Sequence, residues 1–287
     1  NNAFLAPDST LFNGMNESLF LKNLWYFVVH GDQLQKGKLT PREILGERIV
    51  FGRSPEGQPF ALRDNCPHRG VPLSQGWYDG KEIQCCYHGW RFDTNGTCLG
   101  IPALFDEKFN PAKIKVFQYP VREINGTIWV YIPENKTQLA DADERLPDLL
   151  VAEDKKFLFV EKVTMPADID HSVIGLIDPA HVTFVHQSWY WRSAKKLKLK
   201  EKNFVPDGRG FKMARHTPSS NSKGYSVLKG GTSTEINFQL PGVRTEHIKV
   251  GDREIVSITC LTPINEHETE LNHIFYSTLS IVKYLWW

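Results

Sequence analysis

Cys66-Pro67-His68-Arg69-Gly70 and, after residues 71–84, Cys85-Cys86-Tyr87-His88-Gly89-Trp90 are the two stretches around which the chain reads. Taken as Cys-x-His and Cys-x-x-His, they offer two thiolates and two imidazoles on tight Gly- and Pro-bearing turns, a donor set for one soft-metal centre closed by two loops. Zinc would take all four side chains as one tetrahedron. A [2Fe-2S] cluster would take both cysteines on one iron and both histidines on the other, the imidazoles raising its reduction potential above that of an all-cysteine cluster. Zinc sites generally pair cysteine knuckles with histidine knuckles, whereas each loop here gives one Cys and one His, which favours the cluster. Cys86 also stands in Cys-x-His spacing to His88, so spacing alone leaves Cys85 and Cys86 as alternatives.

Composition sets the frame for that centre. With 287 residues, 41% of them hydrophobic, the chain can bury a substantial core, and its length fits about two domains. A formal net charge of +1, from 34 Lys and Arg against 33 Asp and Glu, argues against nucleic acid as a dominant partner. Five cysteines are an odd number, and at least two belong to the metal pattern, so a disulfide framework is not expected and the reading is a reducing cytoplasm. Asn1 to Thr10 carry neither a basic n-region nor an apolar h-region. The chain lacks an initiator Met and stops inside an apolar run, so both ends read as incomplete. Leu279 to Trp287 is too short to span a bilayer and reads as a packing helix, with peripheral membrane association of that tail as the alternative.

The expected fold class is α+β: an N-terminal antiparallel β domain, then a domain with an antiparallel sheet of five or so strands and helices packed on one side. Residues 1–19 are a lead-in and 20–134 the first domain. Residues 135–287 are the second, entered through an acidic linker from Asp141 to Asp148. Strand-like runs stand at Phe20 to Val29, Glu47 to Gly52, Pro59 to Arg63, Glu82 to Cys85, Val116 to Val121 and Thr127 to Ile132. Asn95-Gly96 reads as a type I′ hairpin turn, and Asn125-Gly126 as another turn. In the second domain, strands are expected at Phe157 to Val163, Gly210 to Ala214, Glu235 to Gln239, Val243 to Val250, Glu254 to Thr262 and Leu271 to Thr278. Lys195 to Lys202 reads as a solvated basic face.

A second constellation lies at Asp178-Pro179-Ala180-His181-Val182-Thr183-Phe184-Val185-His186, an acid and two histidines as Asp-x2-His-x4-His. On a regular α-helix the five-residue step turns the second imidazole about 140° from the first, so joint ligation requires the helix to end or widen between them. Two histidines and a carboxylate are the facial triad of non-haem Fe(II) oxygenases, and a one-electron carrier fused to a second domain needs an acceptor. Asp168, Asp170 and His171 read as helix capping and surface. Glu266, Glu268 and Glu270 are the nearest downstream acids, and they read as solvated in a turn before a strand. Phe184, Trp189, Trp191, Phe211 and Phe238 are candidates for an apolar substrate pocket.

With both motifs in view, the chain resembles the α (terminal oxygenase) subunit of Rieske non-haem iron oxygenases over almost its whole length. The residues that carry the likeness are the two loops with Arg69-Gly70, Leu73-Ser74 and Tyr87-His88-Gly89-Trp90, followed by the Asp-x2-His-x4-His run. The resemblance implies a second domain of helix-grip type. It implies a Rieske [2Fe-2S] cluster on Cys66, His68, Cys85 and His88, with Cys86 where a Pro is common. Val71 and Tyr87 stand where respiratory-type relatives carry bridge-forming cysteines. It further implies a mononuclear Fe(II) on His181 and His186, with Asp178 bridging His181 and a cluster histidine of the neighbouring subunit in a ring-shaped homotrimer. Gly175 stands where the family usually has Asn, and the third, carboxylate ligand of the family falls beyond Trp287. The implied activity is oxygen activation to hydroxylate or oxidatively dealkylate a hydrophobic, ring-containing substrate, with electrons from a ferredoxin or flavin reductase. Among family members the single-chain pattern is similar to aromatic O-demethylases and to the pheophorbide and chlorophyllide oxygenase group. The alternative is an electron-transfer or hydrophobic-ligand-binding protein without active mononuclear iron.

Overall fold

The computed structural model describes residues 19–104, 108–135, 139, 142, 146–149, 156–178, 185, 202–217 and 232–277. The first unit is antiparallel β throughout. β1 (Leu24–His30), β9 (Val121–Ile124) and β10 (Thr127–Ile132) pair in the order β1-β10-β9. β2 (Thr40–Ile44), β3 (Glu47–Arg53) and β4 (Pro59–Arg63) make a second sheet. β5 (Trp77–Tyr78), β6 (Glu82–Gln84), β7 (Arg91–Asp93) and β8 (Cys98–Gly100) form a four-stranded meander.

Three local expectations change. β1 starts at Leu24 rather than Phe20 because Asn23 takes a left-handed φ of 58°, a conformation asparagine tolerates. The run expected as a strand from Val116 carries one isolated bridge, at Gln118, before β9 begins at Val121. Pro120, which has no N–H, interrupts the ladder there. The two Asn-Gly dipeptides form different turns. Asn125 and Gly126 both have positive φ, 48° and 75°, as a type I′ hairpin requires. At Asn95-Gly96 only the glycine does, at 82°, so the expected type I′ turn is not formed. The cause is Asp93, whose Oδ1 accepts from the N–H groups of Asn95 (2.9 Å) and Thr97 (2.7 Å) and holds the intervening residues in a right-handed turn.

The second unit is one antiparallel sheet of seven strands rather than five or so. Its members are β11 (Lys156–Met165), β12 (Phe204–Asp207), β13 (Gly210–His216), β14 (Thr232–Gln239), β15 (Val243–Val250), β16 (Arg253–Asn265) and β17 (Glu268–Ser277). The order is β11-β17-β16-β15-β14-β13-β12. Among the described residues one α-helix, α1 (Ile169–Ile177), accompanies it. Asp168 caps α1 by accepting the His171 N–H at 2.9 Å, the capping role its position implies. The basic run, apart from Lys202, which is exposed, and the tail of 279–287 lie outside the described residues.

The two units share a wall. All seven residues of β1 and all six of β10 are buried, and their side chains alternate between two cores, as a pleated strand demands. Leu24, Tyr26, Ile128, Val130 and Ile132 face the first unit's own core. Trp25, Phe27, Trp129 and Tyr131 face the other way, onto Val243, Val256, Ile258, Cys260, Ile274 and Tyr276 of the large sheet. Hydrogen bonds fasten the seam. Trp25 Nε1 donates to Ala142 O (2.6 Å), Thr262 Oγ1 to Phe27 O (2.9 Å) and Tyr276 Oη to Asn125 O (2.8 Å). The hairpin tip after β2 adds Leu45 N–H to Pro263 O and Gly46 N–H to Ile264 O.

The opposite face of the large sheet carries a different chemistry. One rung of directly paired residues runs Phe211, Phe238, Arg244, Thr259, His273 and Glu161. Next to it, Ser257 Oγ meets His273 Nε2 at 2.6 Å, and Arg244 pairs with Glu246 at 3.0 Å. Burial, with the Arg244 charge adding to it and Glu246 opposing, lowers the His273 pKa from 6.5 to about 4. The folded chain thus keeps His273 neutral at a pH where an unfolded histidine is protonated. Stability from this group is complete above about pH 6.5 and is lost as pH falls from there toward 4, by about 3 kcal/mol in all. Denaturant midpoints measured from pH 7 to pH 4 should show that limb in the native chain and a flatter one in His273→Gln.

Candidate metal centre

Each metal loop leaves a strand edge, turns within five residues and returns. In the first, the Cys66 N–H donates to Val71 O (2.8 Å) and the Gly70 N–H to Cys66 O (2.8 Å). In the second, the Cys85 N–H donates to Trp90 O (2.9 Å) and the Gly89 N–H to Cys85 O (3.0 Å). The loops are therefore the same turn built twice. Each is closed by a glycine in the left-handed region, at φ 74° for Gly70 and 69° for Gly89, where a side chain would be strained. The histidine sits third in one turn and fourth in the other.

Side by side, the turns bring Cys66, His68, Cys85 and His88 to one shallow cleft, which they line with Arg69, Val71, Tyr87 and Trp90. The four donors divide into pairs. The thiols are inside, 1% exposed at Cys66 and 2% at Cys85, near enough to hydrogen-bond one another. The imidazoles are outside, with ring centroids 4.5 Å apart, and His88 is exposed. Cys86 is exposed and is not among the residues that line the cleft. A thiol pair beneath an imidazole pair is the partition a two-iron cluster uses, whereas a single tetrahedral ion needs all four donors on one point. Among the described residues no three Cys, His, Asp or Glu side chains gather on a single-ion position.

The surroundings of the Cys66 sulfur pull in two directions, and burial wins. Burial pushes the Cys66 thiol up to about 11, with Cys85 adding to the rise, while the N–H groups of His68 and Arg69 aim at the sulfur and pull the other way. Those amides are ready donors to a thiolate once a metal displaces the proton. His68 is lowered from its ordinary value by desolvation, then by His88 and Arg69. Trp90 lies flat against the His68 ring, 4.7 Å between centroids and 3° between planes, and Tyr87 leans on His88 at 4.1 Å. Behind the first loop, buried Asp64 accepts from both the N–H (2.7 Å) and the hydroxyl (2.6 Å) of Ser74, fixing the segment that leads out of the turn. Sequence reading quoted Trp90 and Ser74 but gave them no role, and it passed over Asp64. None of the three has a periodic signature.

At the second constellation, Asp178 is half-buried at the C-cap of α1, extended at φ −68° and ψ 114°, with its N–H on Ile174 O at 3.0 Å. Pro179 follows in sequence, and the residue before a proline is driven out of helical geometry, which is why α1 stops there. His181 and His186 lie outside the described residues, as do Phe184, Trp189 and Trp191. Phe211 and Phe238 stack at 5.3 Å on the polar-faced side of the large sheet. Glu270, expected in a solvated turn, is instead 7% exposed within β17 and contacts both Arg42 and Lys162. The turn is confined to residues 266 and 267, so β17 carries Glu270 under β2.

Comparison with known proteins places this architecture. Residues 24–120 match the family model described as Rieske [2Fe-2S] domain. Over 176 residues the chain is 33% identical to chlorophyllide a oxygenase of Chlamydomonas reinhardtii, covering 60% of this chain and 25% of that protein. It is 33% identical over 175 residues to the oxygenase component of chloroacetanilide N-alkylformylase of Rhizorhabdus wittichii, covering 59% and 48%. With pheophorbide a oxygenase of rice, Oryza sativa subsp. japonica, identity is 31% over 227 residues, covering 75% and 40%. The chain thus spans between a quarter and a half of the length of these curated relatives. In fold it is similar to dicamba monooxygenase bound to dicamba, with a TM-score of 0.76 at 23% identity, over 92% of this chain and 79% of that one. The two-loop centre and the seven-stranded sheet behind it accordingly belong to a chain that carries a Rieske [2Fe-2S] domain and is homologous to Rieske oxygenase components.

Proposed function

We propose that the chain is the terminal oxygenase component of a Rieske system, in which Cys66, Cys85, His68 and His88 hold the cluster and His181 and His186 hold a mononuclear iron. When bound, these groups supply one-electron transfer and oxygen activation respectively. The observation that carries the reading is the pairing of buried thiols beneath outward imidazoles on a domain that shares its core with a large sheet.

The chain's own residues do the positioning. The paired cysteines keep water from the inner side of the centre, and Trp90 holds the His68 ring in one orientation. The outward edges of His68 and His88 face the surface through which electrons enter and leave. Their nitrogens not used for metal carry a proton whose affinity depends on the hydrogen-bond partner. Asp178 is the proposed partner, contributed by a neighbouring copy in a homotrimer, and it orients His181 as well. The substrate is a hydrophobic ring compound that is hydroxylated or dealkylated. Phe211 and Phe238 stand on the sheet face that would hold it. Electrons come from a ferredoxin or flavin reductase in the cytoplasm. Among the described residues no helix is long and apolar enough to cross a membrane.

His181→Ala tests the assignment. The variant should keep the red-brown colour of the cluster and lose substrate-dependent oxygen uptake, and retained turnover would contradict the mononuclear site. Iron analysis gives a second reading, about three irons per chain with both centres and about two with the cluster alone.

A further inference from the structure

A cavity of about 250 Å³ lies at the seam between the two units, away from the metal loops. Its walls come from β1 and β2 on one side and from β11, β16 and β17 on the other, with Phe27, Ile44 and Ile264 apolar and Arg42, Lys162 and Glu270 charged.

We propose that this cavity binds a small organic monoanion, a carboxylate carried on an apolar body. The first argument is the state of Arg42. Its side chain is 23% exposed, yet Nη1 reaches Glu270 only at 3.3 Å and Nη2 reaches Val28 O only at 3.4 Å. Its buried Nε–H has no partner among the described residues. Charge-assisted bonds of this kind normally close to about 2.7–2.9 Å, and a guanidinium fork fits a carboxylate with two parallel bonds. An interdomain salt bridge that served only as a fastener would have short bonds and no space beside it.

The second argument is charge. Arg42 and Lys162 share the single buried carboxylate of Glu270, which Asn272 Nδ2 also satisfies at 2.8 Å. These three ionised groups sum to +1. The remaining lining acid, Glu43, is exposed, as the Lys162 side chain is at 42%, and solvent screens both of these outer charges. A monoanion therefore stays closer to charge balance here than a dianion does. The third argument is the apolar wall, which offers nothing to a fully hydrated inorganic ion and a favourable surface to a hydrocarbon body. Because the lining comes from both units, an occupant stabilises their junction.

Thermal unfolding of the iron-loaded full chain, with benzoate, benzamide and inorganic phosphate as probes, decides it. Benzoate at a hundred times its Kd should raise the midpoint by roughly 5 °C or more, with benzamide and phosphate leaving it unmoved. Arg42→Gln should abolish the shift. Lys162→Gln, whose side chain is 42% exposed and so threatens folding little, should weaken the benzoate Kd by about fivefold. The response should persist in Asp178→Asn. Equal shifts with benzamide or phosphate, an unchanged Kd in Lys162→Gln, or a loss of response in Asp178→Asn, which would move the binding to the iron site, each overturn the proposal.

Discussion

Cys85→Ser should yield protein without visible absorption, without the low-average-g signal of a reduced Rieske centre, and with iron content reduced by the two atoms of the cluster. Cys86→Ser should leave all three unchanged. The contrast follows from position. Cys85 is 2% exposed and sits beside Cys66, whereas its neighbour in sequence points to solvent. A serine hydroxyl is a poor replacement for a thiolate on iron because its proton is far harder to remove. The surrounding N–H groups of the loop would then aim at a neutral oxygen. Metal binding by such sites is also folding free energy, of order 10 kcal/mol in small zinc modules, so Cys85→Ser should lower the thermal midpoint as well. An unchanged spectrum in Cys85→Ser with a bleached one in Cys86→Ser would reverse the ligand assignment.

Trp129→Ala should be the most damaging change away from metal, costing about 3–5 kcal/mol. Trp129 is wholly buried, meets Phe27 edge-on at 5.6 Å and donates from Nε1 to Thr127 Oγ1 at 2.8 Å. It stands on the face of β10 that packs against the large sheet, so the void would open between the two units rather than within one. Denaturant unfolding followed by cluster absorbance and by far-ultraviolet circular dichroism should show both midpoints move together. Trp77→Ala, at a position 62% exposed, should stay within about 0.5 kcal/mol of the native chain. Separate movement of the two probes in Trp129→Ala would mean that the shared core does not couple the units.

How much of this was readable beforehand depends on how local each feature is. The two loops are contiguous runs, so the Cys and His residues that line their shared cleft and the closing glycines stood in plain sight. β15 was bounded residue for residue at Val243 and Val250, because the turn residues Pro241-Gly242 and Gly251-Asp252 bracket it. β12 was missed because Phe204–Asp207 is four residues, three of them exposed, with a proline inside. The seam was illegible for a different reason. Arg42 and Glu270 are separated by 228 positions, and no spacing rule connects them. Likewise Asp64 supports Ser74 through a contact that only the folded loop creates. Spacing alone leaves Cys85 and Cys86 open and the family resemblance selects Cys85; the burial of Cys85 against the exposure of Cys86 supports that selection, and a short loop encodes burial in no period.

The doubled turn has a consequence for anyone who would transplant it. Since the backbone of 66–71 and that of 85–90 make the same two hydrogen bonds, a graft of either hexapeptide into the other's place should seat without distortion. Yet it would deliver its imidazole one residue early or late, away from the place where the two histidine rings now meet. What distinguishes the two halves of this centre is an address within the turn, and interchange of the halves should preserve the scaffold while erasing the metal.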